Sequence, residues 1–330
     1  MVKLSPQSTS RDILSALKAA SDDSRLRILH ILSYGALNVN EITSVLGMGQ
    51  SRVSRHLKIL SDSGLLNSQR EGSWVYYRLP EHSEFKSFSA DLLITLLEYK
   101  ENQSSSEKDK KNTQKILSER VKKRNTFFDK IGSQWENVQQ EVMNPRVYRE
   151  KILDYLPKKT GTILDLGCGP GVLLTDMANR ATKIIGVDTS KKMLEEARTT
   201  FQKNNKISFL EARLEELPVS DSSADAVIAS MVLHHVSNPP LVIQEASRIL
   251  KDKGILCLVD LKKHNQEYMR DNYADLWLGF QPELLTEWLS SAGFEVQKQE
   301  ELNTESIFKI LTIKAVKKGG HHVRKKRLQS

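Results

Sequence analysis

The stretch Ile163-Leu164-Asp165-Leu166-Gly167-Cys168-Gly169-Pro170-Gly171 decides the fold of the larger part of this chain. An apolar run followed by glycines at alternate positions is typical of a buried strand that ends in a tight turn before a helix. Glycine tolerates positive φ and lets a ligand lie against bare backbone. In parallel α/β sheets ligands bind at the carboxyl ends of the strands, so this loop is a predicted ligand site.

The spacing of this loop excludes two common nucleotide-binding motifs. It is not the G-x-G-x-x-G of dinucleotide-binding proteins, and no phosphate-binding G-x-x-x-x-G-K-[ST] occurs in the chain. The next apolar run, 183–188, ends in Asp188, and an acid about 20 residues after the loop is placed to bind ribose hydroxyls. The segments 224–230 and 254–260 read as the fourth and fifth strands of the sheet.

These motifs, in this order, resemble the class I S-adenosyl-L-methionine (AdoMet) methyltransferases over residues 115–316. The resemblance implies a Rossmann-like α/β domain, with a seven-stranded, mostly parallel sheet and helices on both faces. It also implies AdoMet as the cofactor, with the glycine loop at its amino-acid part and Asp188 at its ribose. Arg213 departs from the family, which often has an acid there facing the adenine amine. The cofactor-binding residues that the resemblance implies are Asp165, Gly167, Cys168, Gly169, Gly171, Asp188, Thr189, Met193, Arg213, Leu214 and Ser230.

The first hundred residues have a different signature. Apolar residues recur at helical spacing over 24–32, and 40–47 predicts a short helix with a glycine stop. In 50–60, apolar residues at i, i+4 and i+7 face inward and a polar, basic face remains. Two β-rich runs around 70–72 predict a hairpin. A short helix, a tight turn, a second helix with a basic face and a hairpin are typical of a winged helix-turn-helix.

This segment resembles the ArsR-type winged-helix regulators over about residues 10–100. The resemblance implies an α+β domain that binds double-stranded operator DNA as a homodimer, paired through its first helix and a last helix near Phe85–Tyr99. Residues expected to contact DNA are Gln50, Ser51, Ser54, Arg55, His56, Lys58 and Arg70. Many relatives sense metals through cysteines on the first helix of the turn. The matching residues 39–42 contain none, and the histidines of this segment lack ligand spacing, so no metal site is predicted.

Composition sets the remaining expectations. The 330 residues fit two domains better than one, and two cysteines indicate a reducing cytoplasm rather than a disulfide framework. No apolar run is long enough to span a membrane, and no secretory leader is evident. Residues 125–316 are net −4, whereas the tail 317–330 is net +6, a pattern that favours a polyanionic partner outside the methyltransferase segment. The predicted organisation is a winged-helix domain 1–100, a polar linker 101–114 that is either a true linker or a frayed helix end, a methyltransferase domain 115–316 and a basic tail 317–330.

Methyl transfer from a sulfonium is an in-line displacement, so the protein mainly has to align the acceptor. If the acceptor must lose a proton, His234 and His235 after the fourth strand are candidate bases, and Asp260 at the end of the fifth is another. Each could instead be structural. Aromatic residues on the helix before the first strand, Phe127, Phe128 and Trp135, either cover the cofactor or pack on the sheet.

Two functions remain open from the sequence. In the first, the chain methylates a small molecule and its DNA-binding head regulates transcription. In the second, the methyltransferase fold only senses AdoMet or S-adenosylhomocysteine to control DNA binding. Residues 230–233 lack the N-P-P-Y type of motif of the amino-methylating DNA enzymes, so a small-molecule acceptor is expected.

Overall fold

The computed structural model describes residues 9–71, 74–80, 88–98, 104–134, 139–140 and 144–320. The chain divides into two compact units, Met1–Lys122 and Lys123–Ser330. Some predictions lie outside the described residues: the tip of the hairpin at 72–73, the ends of the last winged-helix helix at Phe85 and Tyr99, Trp135, and residues 321–330 of the tail.

The first unit contains helices α1 to α5 and a three-stranded antiparallel sheet in the order β1-β3-β2. The helices are α1 (Ser10–Ala20), α2 (Asp23–Leu32), α3 (Val39–Leu46), α4 (Gln50–Asp62) and α5 (Phe88–Glu98). The strands are β1 (Leu37–Asn38), β2 (Asn67–Glu71) and β3 (Trp74–Arg78). This arrangement confirms the winged helix-turn-helix fold.

Local chemistry defines the two helices of the turn. Asn38 and Glu41 form a capping box at the start of α3, and Gly47 ends it with φ 64°, in the left-handed region that a side chain disfavours. Along α4, Val53, Leu57 and Leu60 are fully buried, as their spacing predicts. The two helices therefore pack through one apolar face and leave the opposite face of α4 in solvent.

The predicted linker 101–114 proves to be partly helical. A single helix, α6 (Ser104–Ile131), includes residues 104–114 and crosses the boundary between the units. Asp109 is buried and accepts two hydrogen bonds from the Arg27 guanidinium, at 2.7 and 2.9 Å, and Thr113 is fully buried. Polar composition suggested a linker, but these polar side chains are satisfied inside the first unit and so belong to its core.

The second unit is built around a seven-stranded sheet in the order β6-β5-β4-β7-β8-β10-β9. The neighbouring strands β6, β5, β4, β7 and β8 are all parallel. Strand β10 is antiparallel to both β8 and β9. The strands are β4 (Thr160–Leu166), β5 (Ala181–Asp188), β6 (Ile207–Glu211), β7 (Ala224–Ser230), β8 (Leu250–Leu261), β9 (Phe294–Asn303) and β10 (Lys309–Lys317). The helices after α6 are α7 (Arg146–Tyr155), α8 (Val172–Met177), α9 (Lys191–Thr200), α10 (Pro239–Ile249), α11 (Tyr268–Asn272) and α12 (Pro282–Ser291). The Rossmann-like, mostly parallel fold is confirmed.

Lys317 and the two cysteines can now be compared with the sequence expectations. Lys317 is buried in β10 and its Nζ donates to the Leu250 carbonyl at 2.7 Å, so it belongs to the sheet rather than to the basic tail. Cys168 and Cys257 are both buried free thiols. Among the described residues, no helix is both long and apolar enough to cross a membrane.

Candidate functional site

Two adjoining clefts open where β4, β5 and β7 end, and both include Gly167 and Met231. The first spans about 520 Å³ and the second about 460 Å³, open solvent included. The first is lined by Arg124, Phe128, Gly167, Gly169, Asp188, Thr189, Met193, Leu214, Met231, Val232 and His235. The second is lined by Gln139, Tyr148, Arg149, Asp165, Gly167, Cys168, Pro170, Val172, Leu173, Ser230 and Met231.

The loop between the clefts requires glycine. Gly167, Gly169 and Gly171 have φ of 73°, 53° and 87°, all in the left-handed region. A Cβ on Gly167 would lie 2.4 Å from Cγ2 of Val232. The loop is anchored because the Gly167 and Cys168 amides both donate to the Val187 carbonyl at the end of β5.

Asp188 joins the glycine loop to the next turn. One carboxylate oxygen accepts from the Gly169 amide and the other from the Ser190 amide, each at 2.9 Å. Burial raises the pKa of Asp188, and these two hydrogen bonds and the nearby Arg124 oppose that rise. A carboxylate has about four acceptor sites, so Asp188 keeps capacity for a ligand's hydroxyl groups in the first cleft.

Asp165 is a buried acid in the wall of the second cleft. Burial, and then repulsion from Asp188, raises its pKa to about 7, and Arg149 partly offsets this. A ligand with a cationic group, such as the ammonium of an amino acid, would favour the charged form of Asp165.

The carboxyl-terminal part of α6 forms one wall of the first cleft. Arg124 donates to the His235 carbonyl at 3.1 Å and to the Thr189 hydroxyl at 3.0 Å, and burial lowers its pKa. Phe128 meets the His235 ring edge-on at 5.0 Å. Of the two roles open to this aromatic helix, the structure therefore supports the covering of the cleft. Sequence reasoning identified Phe128 but missed Arg124, which no motif marks.

The three candidate catalytic residues form one buried cluster beside the first cleft. Nδ1 of His234 lies 2.6 Å from Oδ1 of Asp260, and Asp260 also accepts from the Leu233 and Leu261 amides. The carboxylates of Asp260 and Asp275 outweigh burial and raise the pKa of His234 to about 9. His235, 4.0 Å away between ring centroids, has its pKa lowered well below the ordinary value by burial and then by His234. Of the three, His235 lines the cleft, while His234 and Asp260 lie behind it.

Most of the expected cofactor residues line these clefts. Gly167, Gly169, Asp188, Thr189, Met193 and Leu214 line the first, and Asp165, Gly167, Cys168 and Ser230 line the second. Gly171 and Arg213 line neither. Gly171 instead begins α8. The Arg213 side chain is instead 61% exposed and pairs with Glu215 at 3.7 Å.

Most of the predicted DNA-contacting residues are exposed. These are Gln50, Ser51, Ser54, Arg55 and Lys58 on α4 and Arg70 on β2. His56 is the exception: it is only 8% exposed, and its Nδ1 lies 3.9 Å from Asp22 at the start of α2. His56 is therefore more buried than its neighbours on α4, and its contact with DNA stays a prediction. Its position on α4, three residues after Val53 and one before Leu57, places it on the buried side.

Comparisons with known proteins agree with both units. Residues 22–68 match the family model described as bacterial regulatory protein, arsR family, and residues 164–258 match the model described as methyltransferase domain. Ubiquinone biosynthesis O-methyltransferase of Alkalilimnicola ehrlichii is 30% identical over 149 residues, 43% of this chain and 60% of that protein. Malonyl-[acyl-carrier protein] O-methyltransferase of Legionella pneumophila is 32% identical over 138 residues, 41% of this chain and 48% of that protein. The chain thus spans only part of these relatives.

A solved structure shares the fold of the second unit. It is a chain from the complex between the Haloferax volcanii Trm112 methyltransferase activator and a protein described as a methyltransferase. It has a TM-score of 0.51 and 20% identity, and the match covers 58% of this chain and 97% of that chain.

The chain thus carries a segment that matches the arsR-family helix-turn-helix model and one that matches the methyltransferase-domain model on a Rossmann-like fold, and the cofactor that this resemblance implies is S-adenosylmethionine. The described residues fit that cofactor. The glycine loop leaves bare backbone between the clefts, Asp188 presents acceptors for ribose hydroxyls, and Asp165 is a buried acid that a ligand's ammonium would stabilise.

Proposed function

We propose that this protein is a DNA-binding transcriptional regulator whose second domain transfers a methyl group from AdoMet to a small molecule with a hydroxyl or carboxyl oxygen. The observation that carries this proposal is the first cleft. There an acid fixed by the glycine loop, Asp188, and a buried imidazole, His235, line the same cavity. Cofactor recognition and acceptor activation are thereby served by one site.

The residues of this chain hold the cofactor in two places. Asp188 accepts from the ribose hydroxyls, and Asp165 attracts the ammonium of the amino-acid part. The glycine loop provides backbone contacts between them. When bound, AdoMet supplies a methyl group already activated on a sulfonium, so the protein's remaining task is to align and activate the acceptor.

His235 is the group we assign to acceptor activation. Its lowered pKa keeps the imidazole neutral at neutral pH, and only a neutral imidazole has a free lone pair. Phe128 and Arg124 fix this wall of the cleft through the His235 ring and carbonyl. An oxygen acceptor is favoured because both relatives compared above are named as O-methyltransferases.

The first domain supports a regulatory role. The exposed face of α4 carries Arg55 and Lys58, and positive side chains on a helix of this kind contact DNA in helix-turn-helix proteins. On α1, Leu14 and Leu17 are 54% and 44% exposed. They lie one helical turn apart and so leave an apolar patch on one face of the helix. We propose that these leucines are buried in a homodimer, which would match a two-fold symmetric operator.

The test is methyl transfer from radiolabelled AdoMet to a panel of phenols, quinols and carboxylic acids. The full chain is expected to label at least one oxygen acceptor. His235→Ala should abolish most of this labelling while leaving the AdoMet Kd nearly unchanged. His264→Gln, which changes a half-buried histidine outside the clefts, is the matched control and should retain activity.

Tight AdoMet binding without labelling of any acceptor would overturn the enzymatic part of the proposal. The methyltransferase domain would then be a sensor for AdoMet or S-adenosylhomocysteine. Equal turnover by the wild type and His235→Ala would instead remove His235 from the chemistry.

A further inference from the structure

Three buried side chains beside the first cleft present ligand atoms to one point. The nitrogens of His234 and His235 and a carboxylate oxygen of Asp275 all lie within 4.8 Å of one another. Oδ1 of Asp275 is 3.8 Å from Nε2 of His234 and 3.7 Å from Nδ1 of His235. Two imidazoles and one carboxylate converging in this way are a common ligand set for first-row transition metals.

Asp275 is an unusual residue to leave buried. It is 5% exposed, and neither of its carboxylate oxygens accepts a hydrogen bond from any described residue. Burying an acid without hydrogen bonds is costly, whereas a cation bound between it and the histidines would compensate that cost. The carboxylate without hydrogen bonds is thus a second observation, besides the convergence of ligand atoms, that points to a bound cation.

Asp260 orients the imidazole ring of His234. It holds Nδ1 of His234 at 2.6 Å, which leaves Nε2 directed toward Asp275. Metal-binding histidines usually donate their other nitrogen to a carboxylate in this way, which fixes the ring and makes it a better ligand. Asp260 is itself held by two backbone amides, so the ring is fixed by the end of β8.

Backbone hydrogen bonds connect the loop that carries Asp275 to His234. The amides of Leu276 and Trp277 both donate to the His234 carbonyl, at 2.9 and 3.0 Å, which ties the loop after α11 to the histidine pair. Ala274, just before Asp275, has φ 58°, a strained conformation for a residue with a side chain. The loop that carries Asp275 is therefore fixed to His234 by backbone hydrogen bonds.

We propose that His234, His235 and Asp275 form a binding site for a divalent transition-metal ion such as Zn²⁺. His234 binds through Nε2, with Asp260 as its supporting carboxylate, and Asp275 provides the charged ligand. His235 binds through Nδ1, which in the metal-free form donates to the Ala274 carbonyl at 3.2 Å. Its proton then moves to Nε2, so the ring stays neutral, but in the metal-bound form His235 acts on the acceptor as a metal ligand and not as a base.

Three protein ligands leave a coordination position open, as in catalytic metal sites. Since His235 lines the first cleft, we place the open position on the side of the ion that faces the cleft, where an acceptor hydroxyl would bind. Coordination lowers the pKa of a bound hydroxyl and so favours its anion as the nucleophile. This role in the reaction rests on the proposed function above, whereas metal binding itself does not.

The site is tested by binding, without cofactor or acceptor. Full-length protein is stripped with a chelator and titrated with Co²⁺, whose visible absorption reports its ligands, and Zn²⁺ then competes for the site. The wild type should bind one Co²⁺ per chain and release it to Zn²⁺. Asp275→Asn and His234→Gln should each weaken this binding by about 100-fold or more, because loss of a supporting carboxylate alone costs 10- to 100-fold.

Two controls separate this site from incidental binding. His264→Gln and the exposed Asp271→Asn remove nearby groups of the same kinds and should bind Co²⁺ as the wild type does. Truncation after Gly320 removes His321 and His322 and should also leave the stoichiometry unchanged. Zn²⁺ should raise the Tm of the wild type but not that of Asp275→Asn. The melting transition of Asp275→Asn also shows that this variant is folded.

Equal Co²⁺ affinity and spectrum in the wild type and Asp275→Asn would overturn the metal site. So would a wild type that takes up no Co²⁺, because the His234 imidazolium alone would then balance Asp260 and Asp275. Neither result depends on turnover. A chain that binds Zn²⁺ here but methylates nothing would refute the proposed function and leave the metal site standing.

Discussion

Replacing Asp188 with asparagine should weaken AdoMet binding roughly ten- to a hundred-fold. The side chain is nearly isosteric, so the change removes the charge while the shape of the cleft is kept. Hydrogen bonds to charged groups are worth about 1.5–3 kcal/mol, and each 1.4 kcal/mol is a factor of ten in Kd. The structure makes the upper part of this range the better expectation. The amide NH₂ of asparagine would face one of the two amides, of Gly169 and Ser190, that now donate to the carboxylate.

The measurement is titration calorimetry of the full chain with AdoMet and with S-adenosylhomocysteine. Both ligands carry the same ribose, so both should weaken by the same factor. Asp176→Asn, an exposed acid on α8 just after the glycine loop, is the matched control and should bind as the wild type does. A Kd for Asp188→Asn within about threefold of the wild type would refute the assignment of Asp188 to the ribose.

Four further outcomes are expected. Arg55→Ala should weaken operator binding by about 1–3 kcal/mol in a sequence-dependent way, measured by fluorescence anisotropy, and an equal loss on all sequences would exclude a base contact. Truncation after Gly320 should lower DNA affinity for all sequences and flatten its salt dependence, and identical salt slopes would exclude a DNA contact by the tail. In metal-free protein the pKa of His234 lies above its unfolded value, so its contribution to stability is present at neutral pH and lost as pH rises toward 9. Chemical denaturation at pH 7 and 9 should show this loss in the wild type and a smaller one in His234→Gln. AdoMet and operator DNA should change each other's affinity by the same factor, corresponding to roughly 1–2 kcal/mol, and superimposable DNA titrations with and without AdoMet would exclude coupling.

The fold of both domains was predictable because it depends on local patterns. The alternation of apolar runs with glycine turns marks β4 and its loop, and the strand at 224–230 agrees with β7 residue for residue. Helical periodicity and the glycine stop likewise define α3 and the core face of α4. These signals are strong because secondary structure and its caps are set by neighbours within a few residues.

The structure departs most from the sequence expectations at polar residues, which composition alone places in solvent. Residues 107–114 are mostly polar, yet Asp109 and Thr113 are buried in the first unit because Arg27 and the helix's own backbone satisfy them. His56 lies on a basic helix but points inward, and Lys317 belongs to β10 rather than to the tail. Whether a polar group is buried depends on the partner that it meets, and that partner is often far away in the chain.

The sequence by itself determined the two fold classes, the glycine loop and the acid at 188, since each is a short motif whose geometry is local. Only the tertiary structure placed Arg124 and Phe128 at the cleft, and only it brought Asp275 within 4 Å of both histidines. The physical reason is that side chains about 40 to 110 residues apart meet only when the sheet and its loops close. No periodicity or spacing in the chain records such a meeting.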